Sequence, residues 1–234
     1  MARFVLVPGA WLGAWVWKKV TPLLEKKGHE VYPVTLTGMG ERVHLANKDI
    51  GMETAVEDVL HVIHYNELDD FVLVGHSFAG KVVAAVADRV PEKVKILLYL
   101  DAFRPDKVLT PQGGFDPQKE FGRVEPGALG IPLTEKILDS IGKDVQGPDR
   151  AWMLSLGTPW PLKHASEPVT LSKNLDTVKR AYIFCTGSGD PVDEILQGKW
   201  GQLEGPHKVI DSGHWPMVTQ PDELVEDLLA LTAD

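Results

Sequence analysis

Short aliphatic runs recur along the chain and alternate with longer stretches of amphipathic spacing. The runs are Phe4–Val7, Glu30–Val34, Phe71–Val74, Val94–Leu100, Ala181–Cys185 and Lys208–Ile210. Near-continuous apolar character over so few residues suits strands covered on both faces, as in a parallel sheet. Between them, Trp15–Lys27, Glu53–Tyr65, Phe78–Arg89 and Pro221–Thr232 carry helical periodicity. Pro221 followed by Asp222 and Glu223 suits a helix start, where proline forfeits no hydrogen bond and acids meet the dipole. The alternation predicts an α/β domain with a mostly parallel, six-stranded sheet flanked by helices.

One region breaks the alternation. Residues 104–179 are rich in proline and glycine, and only short helices fit there, such as Thr134–Ile141. The region also carries Phe115, Phe121, Trp152, Met153, Leu154 and Trp160. A structureless loop of that length is anomalous in a compact domain. The expectation is a small cap over residues 104–179, inserted after the fourth strand into a core made of 1–103 and 180–234.

Composition narrows the class. The net charge of −9 argues against nucleic acid and anionic membrane surfaces, which select for clustered Lys and Arg. Cys185 is the single cysteine, so no intrachain disulfide forms, in keeping with a reducing compartment. The first apolar run is broken by Pro8-Gly9 and is too short for a signal peptide or a membrane span. The expected location is cytoplasmic.

The stretch Phe71-Val72-Leu73-Val74-Gly75-His76-Ser77-Phe78-Ala79-Gly80 carries the chemistry. A buried strand runs into a small-residue turn holding Ser77, and helical spacing follows. That is the context in which G-x-S-x-G marks a nucleophile elbow. Ala79 replaces the second glycine, with Gly80 next. The plain alternative is an ordinary turn with Ser77 as a helix cap.

A serine hydroxyl needs a base to take its proton, and the base needs an orienting acid. His214, in Asp211-Ser212-Gly213-His214-Trp215 after the last strand, has the right place in chain order. His61 and His64 lie on one face of a helix without a third ligand at suitable spacing, so they read as a solvated face. Two acids satisfy the order. Asp190, in the loop Gly187-Ser188-Gly189-Asp190-Pro191, is favoured, and Asp101, ending the fourth strand, is the alternative. Two backbone N–H groups must meet the developing oxyanion. Phe78, after the nucleophile, is one donor, and Ala10, in the first turn beside Gly9, is the other.

At these residues the chain resembles the plant hydroxynitrile lyase and methylesterase (salicylate-binding esterase) family of α/β-hydrolases, with its bacterial esterase branch. The match includes Pro8-Gly9-Ala10-Trp11, Thr35-Leu36-Thr37-Gly38-Met39-Gly40-Glu41-Arg42-Val43-His44-Leu45, Gly75-His76-Ser77, Asp101-Ala102-Phe103 and Gly213-His214. The resemblance implies an α/β-hydrolase fold and a triad of Ser77, His214 and an acid. It also implies Ala10 and Phe78 as the oxyanion hole. Lyases of this family carry threonine where Gly9 stands and a lysine, which stabilises departing cyanide, where Trp215 stands. The resemblance therefore points to ester hydrolysis.

The expected activity is that of a serine carboxylesterase acting on a small hydrophobic or aromatic ester, with Gly9, Trp11, Trp152 and Trp215 facing substrate. Rivals are a hydroxynitrile lyase, a lactone or amide hydrolase, and a non-catalytic small-molecule binder. No cofactor and no metal are expected. Beyond the ester, a homodimer is the open expectation for partners.

Overall fold

The aliphatic runs become strands with nearly the expected bounds. In chain order they are β1 (Arg3–Val7), β2 (Glu30–Pro33), β3 (Phe71–His76), β4 (Val94–Leu100), β5 (Gly130–Ile131), β6 (Trp160–Pro161), β7 (Arg180–Cys185) and β8 (His207–Ile210). Six of them form one parallel sheet in the order β2-β1-β3-β4-β7-β8. The central strands β3 and β7 are buried along their whole length. The edge strands β2 and β8 carry the exposed and half-exposed positions, among them Glu30, His207 and Lys208. Polar edges of this kind discourage pairing with another chain. In this computed structural model the described residues are 1–103, 125, 127–172, 174–199 and 202–233.

The helices are α1 (Thr21–Lys26), α2 (Met52–Tyr65), α3 (Ala79–Arg89), α4 (Glu135–Ile141), α5 (Gly147–Leu156), α6 (Leu162–Ser166), α7 (Val192–Leu196), α8 (Pro216–Thr219) and α9 (Pro221–Thr232). One expected helix is divided. Residues Ala14–Lys19 form a 3-10 turn, and α1 begins only at Thr21, with Pro22 in its first turn. Proline lacks an N–H and is accommodated at a helix start rather than in its interior. Among the described residues, no helix is long and apolar enough to cross a membrane.

The core is continuous from the sheet into the flanking helices and includes Trp11, Trp17, Trp160 and Trp215. Much of the expected cap, with Phe115, Phe121, Pro105, Pro111 and Pro117, lies outside the described residues. The rest of that stretch holds the antiparallel β5–β6 pair, α4, α5 and α6. It is fastened to the first turn: the Trp11 indole N–H donates to the Ile131 carbonyl at 2.9 Å, and the Thr158 N–H donates to the Trp11 carbonyl at 3.0 Å.

The motif Thr35–Leu45 has a supporting role. Arg42 pairs with Asp58 at 2.7 Å, and Asp58 also accepts from the Thr37 hydroxyl at 2.9 Å. Thr35 accepts the Ala14 N–H at 2.6 Å, while the Gly40 N–H donates to Thr158 at 2.9 Å. The loop after β2 is thus tied to the turn after β1 and to the segment before β6.

Candidate active site

Because the sheet is parallel, its carboxyl ends gather the loops that can carry chemistry. The register pairs His76 of β3 with Leu100 of β4. Ser77 and Asp101 therefore leave the sheet side by side, and the Ser77 N–H donates to the Leu100 carbonyl at 3.2 Å. Both turn sharply, with φ of +58° at Ser77 and +43° at Asp101. Such left-handed backbone at a residue with a side chain stores strain and is held by its surroundings. Here the strained Ser77 sits between the buried β3 and α3, whose first residues are buried too.

The departure from G-x-S-x-G has a geometric explanation. A Cβ added at Gly80 would collide with the Phe103 carbonyl, whose own N–H donates to the Ser77 carbonyl at 3.1 Å. The close backbone approach falls at Gly80, so Ala79 is tolerated. On the other side of the elbow stands Gly9. A Cβ there would come within 2.6 Å of His76 Nδ1 and 2.9 Å of the Ser77 Cβ. The first turn thus lies directly against Ser77, and a threonine at this position would not fit without movement.

His214 Nδ1 donates to Asp101 Oδ2 at 2.6 Å, and the Asp101 side chain is 1% exposed. This corrects the sequence-based preference for Asp190. Asp190 stands exposed in the loop after β7, and the carboxylate that meets His214 is Asp101. Its other oxygen accepts from the Cys185 N–H at 3.1 Å and the Ser188 hydroxyl at 3.2 Å. With the proton on Nδ1, the His214 Nε2 is left as the basic atom.

His214 is anchored through its backbone as well. Its N–H donates to the Ile141 carbonyl of α4 at 2.8 Å, and its carbonyl accepts from His76 Nε2 at 2.7 Å. Just upstream, Asp144 accepts from the Gly213 N–H at 2.8 Å, from Ser212 at 3.2 Å and from Thr219 at 2.8 Å. Asp144, Ser188 and the His76 contact were not anticipated from the sequence. These contacts join residues far apart in the chain, and no local pattern marks them.

The Ala10 and Phe78 N–H groups donate to no acceptor among the described residues. Both residues are buried next to the elbow, at 3% and 0% exposure. Unpaired buried N–H groups are uncommon and suit an oxyanion that arrives only with substrate.

The four residues expected to face substrate separate. Gly9 lies at the elbow. Trp11 and Trp215 are packed, with 2% and 1% of their surface exposed. The Trp11 ring meets Trp160 edge-on, and the Trp215 ring lies on Gly142 and edge-on to His214. Trp152 is half-buried on α5, edge-on to Trp15 with ring centroids 5.0 Å apart. Trp215 therefore fills space where a charged side chain would need water. His61 and His64 sit exposed on α2 beside Glu57 and Tyr65. Among the described residues, no group of three or more His, Cys, Asp or Glu is placed to hold a metal ion.

Two other imidazoles lie under the site. His76 is wholly buried, and burial together with the neighbouring His214 holds its pKa well below the usual value. His164 of α6 stacks on Phe78, with centroids 6.2 Å apart, and burial lowers its pKa to about 4. Both are neutral in the folded chain, while their unfolded counterparts take up protons below about pH 6.5. Folded pKa values below the unfolded ones give stability that is present above pH 6.5 and lost as pH falls toward 4. For His164 the loss is about 1.4 kcal/mol per pH unit, or ~3 kcal/mol across that window, and His76 acts in the same direction. Urea unfolding at pH 7 and pH 4.5 should show it, and His164→Phe should flatten the dependence. An unchanged slope in that variant would remove His164 from the account.

The chain is 36% identical over 258 aligned positions to a carbendazim hydrolyzing esterase of Nocardioides sp. (strain SG-4G), covering 99% of this chain and 100% of that one. It is 28% identical to methylesterase 9 of Arabidopsis thaliana, covering 99% and 98%. An extracellular alpha/beta-hydrolase from a Paenibacillus species superposes with a TM-score of 0.84 at 24% identity over the full length of both chains, which shows the shared fold. The model of the alpha/beta hydrolase family matches residues 4–227, and the chain belongs to that family.

Proposed function

We propose that the protein is a serine carboxylesterase that cleaves small hydrophobic or aromatic esters through an acyl-enzyme on Ser77. The observation that carries this reading is the 2.6 Å bond from His214 to the buried Asp101, which follows β4 just as Ser77 follows the neighbouring β3, one residue beyond the paired His76 and Leu100. Ser77 Oγ attacks the ester carbonyl as His214 Nε2 takes its proton. The carbonyl oxygen becomes an oxyanion held by the Ala10 and Phe78 N–H groups. The tetrahedral adduct collapses, and His214 returns the proton to the departing alcohol. Water then attacks the acyl group with His214 again as base, which frees Ser77. Proton transfer contributes roughly 10²–10⁴-fold, and an oxyanion donor roughly 10²–10³-fold.

The relatives named as esterases support an ester rather than a cyanohydrin as substrate. Gly9 and Trp215 support it independently, because neither offers a hydroxyl or a cation to a leaving cyanide. Methyl esters of aromatic acids, p-nitrophenyl esters and carbendazim form the panel to try. Turnover of at least one, with stoichiometric fluorophosphonate labelling located on Ser77 by mass spectrometry, is the expected result. No turnover and no adduct would reassign the pocket to non-catalytic binding.

A further inference from the structure

We propose that His76 is a positioning residue that holds the backbone of the catalytic base, an inference that rests on the esterase reading of Ser77 and His214. The mechanism above gives His76 no chemical step, yet its imidazole is completely buried at the centre of the site. Its Nε2 lies 2.7 Å from the His214 carbonyl. A carbonyl oxygen only accepts, so Nε2 carries the proton and Nδ1 does not. Nδ1 is buried with no hydrogen-bond partner among the described residues. Burying a polar atom without a partner destabilises a fold, so an apolar ring would pack here at lower cost. The imidazole is justified by its one bond, which is to His214.

The ring touches all three parts of the machinery. It precedes Ser77 in the elbow. Gly9, next to the Ala10 donor, packs against its Nδ1 edge. Its centroid lies 4.6 Å from that of the His214 ring. His214 is thereby fixed at its N–H by Ile141, at Nδ1 by Asp101 and at its carbonyl by His76. Without the third anchor, the peptide after His214 can rotate, and Nε2 drifts from the serine.

Two variants separate a donor from a filler. His76→Leu keeps an apolar volume and loses the N–H. His76→Gln keeps an N–H at a similar distance from the backbone. His76→Leu is expected to lose roughly 10²-fold in kcat, the scale of a misplaced catalytic group, with KM little changed. His76→Gln is expected to recover most of that loss. Wild-type kcat in His76→Leu would overturn the proposal, as would equal losses in both variants with unaltered melting. A measurement on the wild-type protein stands if His76→Leu does not fold. Ring ¹⁵N spectra should show His76 as the Nε2–H tautomer at neutral pH, and an Nδ1–H tautomer would overturn the assignment. If wild type neither turns over esters nor labels at Ser77, the esterase reading fails, whatever the tautomer is.

Discussion

Ser77→Ala is expected to lower kcat by about 10⁶-fold on any ester the wild type hydrolyses, the usual scale for losing the nucleophile of such a triad. Ser77 is the hydroxyl held at the strained turn, with a φ of +58°, directly after β3. The variant keeps the Ala10 and Phe78 donors, so a residual acceleration of roughly 10³–10⁴-fold over water is expected to survive. The fold should be undisturbed, since the Ser77 backbone bonds to Leu100 and Phe103 do not involve the hydroxyl. Initial rates with the most reactive ester, at enzyme concentrations high enough to detect the residue, provide the check. Retained activity would mean that the chemistry belongs to another group.

Asp101→Asn is expected to cost about 10⁴-fold in kcat, the loss that follows when the base is forced into the wrong tautomer. The reason lies in the two donors on Asp101 Oδ1. The Cys185 N–H needs an acceptor there, while the Ser188 hydroxyl can turn either to it or to the Cys185 carbonyl at 3.0 Å. An asparagine must therefore turn its carbonyl to the Cys185 N–H and its amide N–H groups to His214. His214 Nδ1 then has to accept, its proton moves to Nε2, and the ring nitrogen proposed to take the serine proton is no longer basic. Asp190→Asn should stay within a few-fold of wild type, because Asp190 is in the exposed loop. Measuring kcat/KM for both variants on one ester ranks the acids directly. The reverse order would restore Asp190 as the partner of His214.

The acid shows where sequence reasoning stops. Strands and most helices were legible because burial on two faces leaves a run of aliphatic residues, and amphipathic packing leaves a period. The elbow was legible because a strand, small residues and a helix must follow one another locally. Asp101 and Asp190 both end segments at the same sheet edge and both precede His214, so chain order does not rank them. The pairing of His76 with Leu100 and the convergence of Cys185 and Ser188 on one oxygen do, and those are properties of register. Trp11 and Trp215 illustrate the same limit. An aromatic beside a catalytic residue looks like a substrate contact until its neighbours are known, and here both rings are enclosed by protein. Asp144 carried no signal at all, since its partners lie 68 to 75 residues away.

The bond from the His214 N–H to Ile141 has a mechanical consequence. Ile141 ends α4, which belongs to the stretch between β4 and β7, whereas Asp101 and His76 belong to strand ends. His214 is held between the strand ends and α4 instead of being mounted on one element. Its orientational entropy is surrendered when the chain folds, so none of the substrate's binding energy is diverted to aligning it. On the proposed mechanism, a displacement of α4 would carry the His214 backbone with it and detune the base.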